Sequence, residues 1–161
     1  DIMVCILDRP RHADLIKAVR EAGARIMLIG DGDVAGVIAT TDPTTGVDMY
    51  MGSGGAPEGV LAAAALRAIG GQIQGRLLFR NEDERARAIR CGITDFDRKY
   101  STEDMARGDV IFAATGVTDG SMLEGVKVIP GSRQYTTHSV VMRSRSRTVR
   151  WIKGQHCIDK N

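Results

Sequence analysis

The sequence predicts an α/β domain built on a largely parallel or mixed sheet. Three observations carry that expectation. Short apolar runs of strand length alternate with stretches of helical periodicity. Glycine and proline fall at the hand-over points between them. From Val126 to Ile158 the alternation stops and strand-like runs follow one another.

Ile2–Leu7 is a continuous apolar run, as expected for a strand covered on both faces. A helix is expected near His12–Ala22, with Leu15, Ile16, Val19 and Ala22 on one face and Gly23 closing it. Arg25–Ile29 reads as a second buried strand ending at Gly30-Asp31-Gly32-Asp33, followed by a short helix near Val34–Ala39. After the turn-rich Thr41–Gly46, Val47–Met51 is a third strand that ends in Gly52-Ser53-Gly54-Gly55. Pro57 suits a first helical turn and Gly70-Gly71 a stop, so Pro57–Ile69 is a helix. Its Ala and Leu content, with one charge after the first turn, predicts that it is largely buried.

The second half repeats the theme. Gln72–Phe79 is a strand candidate and Glu82–Arg90 a charged surface helix, while Ser101 or Thr102 caps a further helix. Asp109–Ala114 reads as another buried strand, ending in Thr115-Gly116-Val117-Thr118-Asp119-Gly120. Thr136–Arg143 and Thr148–Ile152 are expected to pair as a hairpin.

Length and composition bound the possibilities. A chain of 161 residues and 17.4 kDa, 43% hydrophobic and 26% charged, suits one domain with a proper core and excludes a disordered tail, a coiled coil or a collagen repeat. No apolar run reaches the roughly 20 residues of a membrane helix. A net charge of +2 does not argue for nucleic acid. Cys5, Cys91 and Cys157 are too scattered for a disulfide framework or a CxxC zinc site, so a reducing, cytoplasmic setting is expected. The chain starts at Asp1, without an initiator Met or a signal peptide pattern, and enters a strand at once. It is therefore expected to be a piece of a longer protein that carries half of a site.

In open α/β sheets ligands bind at the carboxyl ends of the strands. Four such junctions stand out: Asp8-Arg9-Pro10-Arg11, Gly30–Asp33, Gly52–Glu58 and Thr115–Gly120. If their strands are parallel, all four loops open on one edge and concentrate glycine, carboxylate and guanidinium there. Each loop also has a plainer explanation. Arg9 and Arg11 suit phosphate oxygens, and equally the surface of a proline turn. Asp31 and Asp33 suit sugar hydroxyls or a metal, and equally a helix cap. Gly52, Gly54 and Gly55 allow a close backbone approach to a ligand, and also make any tight turn. Glu58 complements the dipole of a helix first turn, and can project into the crevice as an oxygen ligand for Mg²⁺ or Mn²⁺. The combination, two arginines for phosphate with carboxylates for metal and hydroxyls, describes a phosphorylated sugar.

The stretches 7–12 (LDRPRH), 31–36 (DGDVAG), 54–60 (GGAPEGV), 112–120 (FAATGVTDG) and 136–139 (TTHS) resemble the class II fructose-1,6-bisphosphatases, some of which also hydrolyse sedoheptulose 1,7-bisphosphate. The resemblance covers nearly the whole chain and aligns with the C-terminal half of that family. It implies the layered sheet-and-helix fold of the inositol monophosphatase and fructose-bisphosphatase superfamily, and metal-dependent hydrolysis of the C1 phosphate. By motif, Arg9, Pro10 and Arg11 contact the sugar bisphosphate, Asp31, Gly32 and Asp33 hold sugar hydroxyls, Gly55 lines the pocket and Glu58 ligates a divalent ion, Mg²⁺ or Mn²⁺. The remaining acidic ligands, and the threonine that orients the attacking water, belong to an N-terminal half whose motifs these residues lack. That half is the expected partner, and the family suggests a homo-oligomer. The alternative is a sugar-phosphate-binding or regulatory domain that hydrolyses nothing.

Other features carry less. Arg143, Arg145 and Arg147, with Arg150 and Lys153, form a basic stripe, on one face if the strand is regular. A solvated hairpin edge accounts for it better than nucleic acid. His12, His138 and His156 lack metal-ligand spacing, though His12 follows the arginine loop and borders the expected pocket. Cys5, inside an apolar strand, is expected to be inert. No strand is followed by GxGxxG, which argues against a dinucleotide site.

Overall fold

The computed structural model describes residues 1–157. The elements in chain order are β1 (Met3–Leu7), α1 (Ala13–Glu21), β2 (Arg25–Ile29), α2 (Asp33–Ala39), β3 (Met49–Tyr50), α3 (Ala56–Ile69), β4 (Gln74–Gly75), α4 (Glu82–Arg90), β5 (Tyr100–Ser101), α5 (Thr102–Met105), β6 (Ile111–Thr115), β7 (Lys127–Val128), β8 (Gln134–Arg143) and β9 (Thr148–Cys157).

They stack as helix, sheet, helices, sheet. The first sheet is parallel, in the order β2–β1–β3, with Met3 opposite Arg25, Leu7 opposite Ile29 and Cys5 opposite Tyr50. As the middle strand, β1 is covered on both faces, which is why its apolar run is unbroken: Val4 through Leu7 are all buried. Val4 and Ile6 meet Leu15, Ile16 and Val19 of α1. Successive strand residues point to opposite faces, and the other face, that of Cys5 and Tyr50, is met by α2, whose Gly36 abuts the Tyr50 ring.

Helix α3 joins the two sheets. Ala62 and Leu66 pack on Val37 of α2, while Ala65 and Ala68 face Phe112, Val140 and Met142 of the second sheet. That sheet is antiparallel, with β6 and β7 on one side of β8 and β9 on the other. Its opposite face carries Ile111, 67% exposed, and Ile152, with no layer over it among the described residues.

Where local pattern determines structure, expectation and fold agree. α4 has the expected bounds, its N-cap Asn81 accepting from the N–H of Glu84. Ser101, rather than Thr102, caps α5, in a capping box with Asp104. The hairpin forms and is longer than expected, running from Gln134 opposite Cys157 to Arg143 opposite Thr148. Ile158, the expected end of the strand-rich region, lies outside the described residues.

Other expectations are corrected. β2 is not buried: Met27 and Leu28 are 37% and 43% exposed, because an edge strand has one neighbour. Ala22 is exposed beyond the end of α1, and Ala24 turns inward instead, after Gly23 takes φ 80°. The third strand shrinks to Met49–Tyr50. Of Gln72–Phe79 only Gln74–Gly75 pairs, with β5, and Phe79 leaves to pack edge-on against Phe96. β6 alternates, with Phe112 buried and Ile111 and Ala113 exposed, because helices cover one face of its sheet. On α3, Val60 and Leu61 are exposed although its small residues are buried. Arg145 and Arg147 sit in the tight turn between β8 and β9, with Arg147 at φ 48°, so the regular basic stripe does not form. No described helix is long and apolar enough to cross a membrane.

Leu66, 1% exposed where α3 meets α2, tests this layering. Leu66→Ala should lower the unfolding free energy by about 2–5 kcal/mol in urea titration. Val117→Ala, at a residue 78% exposed, should change it by no more than about 0.5 kcal/mol.

Candidate functional site

Because β1, β2 and β3 are parallel, the loops that follow them open on one edge. The first begins at Asp8, whose N–H still bonds Ile29 O across the sheet. Pro10 then opens a short 3-10 turn through His12, with Arg9 extended before it. The Arg9 guanidinium donates to Asp8 O at 2.8 Å, and Arg11 Nε donates to Ser53 O at 3.0 Å, across to the loop after β3. Among the described residues the terminal nitrogens of Arg11 have no partner and stand available to an anion.

His12 completes the connection. Its ring is 2% exposed. Nδ1 lies 2.7 Å from Leu7 O, an acceptor only, and Nε2 lies 2.9 Å from the Ser53 backbone nitrogen, a donor. A proton on Nδ1 with the lone pair left on Nε2 satisfies both; the Ser53 hydroxyl, at 3.2 Å, can also donate to Nε2, and this arrangement leaves the longer 3.2 Å approach of Nε2 to Ser53 O unused. Gly52 makes the approach possible: a Cβ there would stand 3.3 Å from His12 Cε1 and 3.6 Å from Tyr50 Cε1.

The second loop brings Asp33 inward. Gly32, at φ 75°, is the N-cap of α2, so neither aspartate occupies the capping position. Asp33 Oδ1 accepts from the N–H of Val34 at 3.0 Å, while Oδ2 faces Gly54, where a Cβ would stand 3.4 Å away. Asp31 is exposed and without a partner among the described residues. In the third loop the Glu58 side chain folds back from the first turn of α3 over Gly55, and a Cβ on Gly55 would collide with its Oε2.

Tyr50, which sequence reading did not single out, stands beside the candidate site. It ends β3 on the face of Cys5 and α2, its ring packed on Gly36 and Val37. Burial first, then the Asp33 charge, pushes its phenol up to about 12, with Arg11 pulling the other way. The available signal was position: an aromatic residue two places before the Gly-rich loop, at the end of a half-covered strand. Cys5 is buried, and burial raises its thiol pKa, which leaves it inert as expected.

The fourth loop does not leave the parallel sheet with the other three, although Leu123 of its return segment shares a cluster with Val34 of α2. β6 lies in the antiparallel sheet, and Thr115–Gly120 folds back on its own return segment. Gly125 N–H donates to Asp119 Oδ1 at 2.8 Å, and Gly116 N–H to His138 O at 3.0 Å. Lys153 and Lys127 hold the Glu124 carboxylate down to about 2, and His138 Nδ1 accepts from the Glu124 N–H. This ion-pair group borders a cavity of about 330 Å³ over β8 and β9.

Among the described residues no group of three or more His, Cys, Asp or Glu is placed to hold a metal ion. Glu58, exposed and without an ion pair or hydrogen bond among them, is chemically fit to be one oxygen ligand of a hard divalent cation. A full coordination shell needs further ligands.

Residues 1–156 match the model of the family described as bacterial fructose-1,6-bisphosphatase, glpX-encoded. The chain is 41%, 40% and 41% identical to proteins named D-fructose 1,6-bisphosphatase class 2/sedoheptulose 1,7-bisphosphatase from Trichodesmium erythraeum, Microcystis aeruginosa and Synechococcus elongatus. Those alignments cover 97%, 99% and 99% of this chain, and 48%, 50% and 49% of the relatives. The chain thus spans about half the length of the curated relatives it matches.

The closeness of Asp33 to Tyr50 has a direct readout. Asp33→Asn removes a negative charge that opposes phenolate formation, so the slowest-titrating tyrosine should ionise at lower pH than about 12. Near-ultraviolet absorbance during alkaline titration measures this, with Tyr50→Phe identifying the signal. An unchanged midpoint would separate the two side chains.

Proposed function

Since the chain belongs to the bacterial fructose-1,6-bisphosphatase family, we propose that it is the C-terminal, substrate-binding half of a metal-dependent sugar bisphosphatase that converts fructose 1,6-bisphosphate to fructose 6-phosphate and phosphate. The single observation that supports this best is the convergence on one sheet edge: Arg11 and His12 grip Ser53, and so hold the arginine loop beside the glycine loop that leads to Glu58. The stacking of helix, sheet, helices and sheet is consistent with the layered superfamily fold that the resemblance implies.

In this reading Arg9 and Arg11 take the phosphate that is not cleaved. Pro10 fixes the turn between them, and the free terminal nitrogens of Arg11 present a fork to phosphate oxygens. Anchoring the far end of the substrate converts binding energy into orientation at the reacting end. Asp31 and Asp33, with the backbone at Gly32, accept from sugar hydroxyls, and Gly55 lets the substrate approach the backbone. Glu58 contributes one oxygen to a divalent ion, Mg²⁺ or Mn²⁺, whose other ligands come from the N-terminal half of the enzyme. When bound, such ions polarise phosphoryl oxygens, lower the pKa of an attacking water and stabilise the leaving alkoxide. The same site would admit sedoheptulose 1,7-bisphosphate, which differs at the sugar rather than at the phosphates. The reading further places the enzyme in the cytoplasm as a homo-oligomer.

Titration of this chain with fructose 1,6-bisphosphate, with and without Mg²⁺, followed by NMR, tests the pocket. Amide shifts are expected at Arg9, Arg11, Asp31–Asp33 and Gly55; shifts confined to 143–153 would mean anion capture at the hairpin and would sink the assignment. In the full-length protein, Glu58→Gln should weaken the activating metal and lower turnover by at least about tenfold, since even outer-shell metal contacts are worth that much. Unchanged metal dependence and turnover would remove Glu58 from the site.

A further inference from the structure

We propose that His12 is a positioning residue of the sugar-phosphate site, holding the Gly52–Gly55 loop, and through it Glu58, in fixed relation to Arg9 and Arg11; the inference rests on the function proposed above. Among the described residues His12 is the one buried polar side chain. A buried polar group is costly unless it is bonded, and an apolar residue of similar volume would fill the same space. Its two shortest bonds go to backbone, and both backbone groups stand next to the candidate site. Leu7 O closes β1 just before the arginine loop, and Ser53 N–H is two residues from Gly55 and five from Glu58.

The loop needs such a tether. Three of its four residues are glycine, which restrict the backbone least. The Ser53 backbone is instead gripped at both ends, its N–H by His12 and its C=O by Arg11. Arg11 cannot do this alone, because it is exposed and its terminal nitrogens are meant for the substrate. His12 itself is no ligand: Nδ1 carries the proton given to Leu7, and the Nε2 lone pair is used by Ser53. It acts by fixing where Glu58 stands.

Three variants of the full-length protein separate this role from simple core filling. His12→Leu keeps volume without polar atoms, His12→Asn keeps a donor near the Nδ1 position, and His12→Gln places an oxygen acceptor near Nε2. The expected result is a loss of about 10–100-fold in kcat for Leu and Asn, typical of a lost outer-shell support, with KM little changed because Arg9 still anchors the far phosphate. Gln should recover most of the activity. In parallel, hydrogen exchange at the Ser53 amide should be slow in the native protein and in Gln, and fast in Leu and Asn, while ¹⁵N spectra of the native imidazole show the proton on Nδ1. A proton on Nε2, or a Gln variant no better than Leu in both kcat and Ser53 exchange, overturns the proposal. So does a loss of kcat that urea unfolding accounts for entirely by a smaller folded fraction. Native protein without sugar bisphosphatase activity would defeat the proposed function instead, and the Ser53 exchange series would still decide whether His12 holds the loop.

Discussion

The candidate site depends on the backbone of one residue. Ser53 is bonded at its nitrogen by a buried imidazole and at its oxygen by a guanidinium, and both partners come from the turn after β1. Without those bonds, the parallel sheet would still deliver three loops to one edge but would not set their distances. A loop of Gly52, Ser53, Gly54 and Gly55 has many conformations to lose, each ordered residue costing about 1–2 kcal/mol of backbone entropy. The imidazole bond offsets part of that cost away from solvent, where a hydrogen bond faces less competition from water. Since Leu7 belongs to the most buried strand, the reference point for the whole edge is the centre of the first sheet.

Helix α3 gives the other half of that reference. Its first turn carries Glu58, and its buried alanines allow close packing on α2 on one side and on Phe112, Val140 and Met142 on the other. Small side chains let a helix approach two neighbours at once, so Glu58 is anchored through both sheets. The Glu124, Lys127 and Lys153 group on the second sheet ties the loop after β6 to the hairpin.

Much of this was legible in the sequence wherever the cause is local. The β1 run, the Gly23 stop, the bounds of α4, the cap of α5 and the pairing of the hairpin, though not its full length, all follow from short-range pattern. That the three loops after β1, β2 and β3 open on one edge could be read as well, because it follows once those strands are parallel. What could not be read depends on neighbours distant in the chain. Arg25–Ile29 has the composition of a buried strand, yet its exposure is set by how many strands lie beside it. Thr115–Gly120 looks like a fourth site loop only if β6 runs in the parallel sheet, and strand direction is a property of pairing. Tyr50 and His12 carry no motif of their own; their importance comes from Gly36, Gly52 and Ser53, brought against them by the fold.

Gly36 is buried in α2 with the Tyr50 ring 3.1 Å from where its Cβ would stand and Ile29 at 3.0 Å. Helical glycine is ordinarily a free improvement waiting to be made, since alanine favours the helix by about 1 kcal/mol. Here the gain is set against crowding: the new methyl would press on Ile29 and on the Tyr50 ring, fourteen residues away, and one of them must shift by a few tenths of an ångström. The two positions are therefore coupled: an alanine at 36 gains its helix preference only as far as Ile29 and Tyr50 can make room. Glycine at 36 thus ties the packing of α2 to the residue that ends β3 beside the glycine loop.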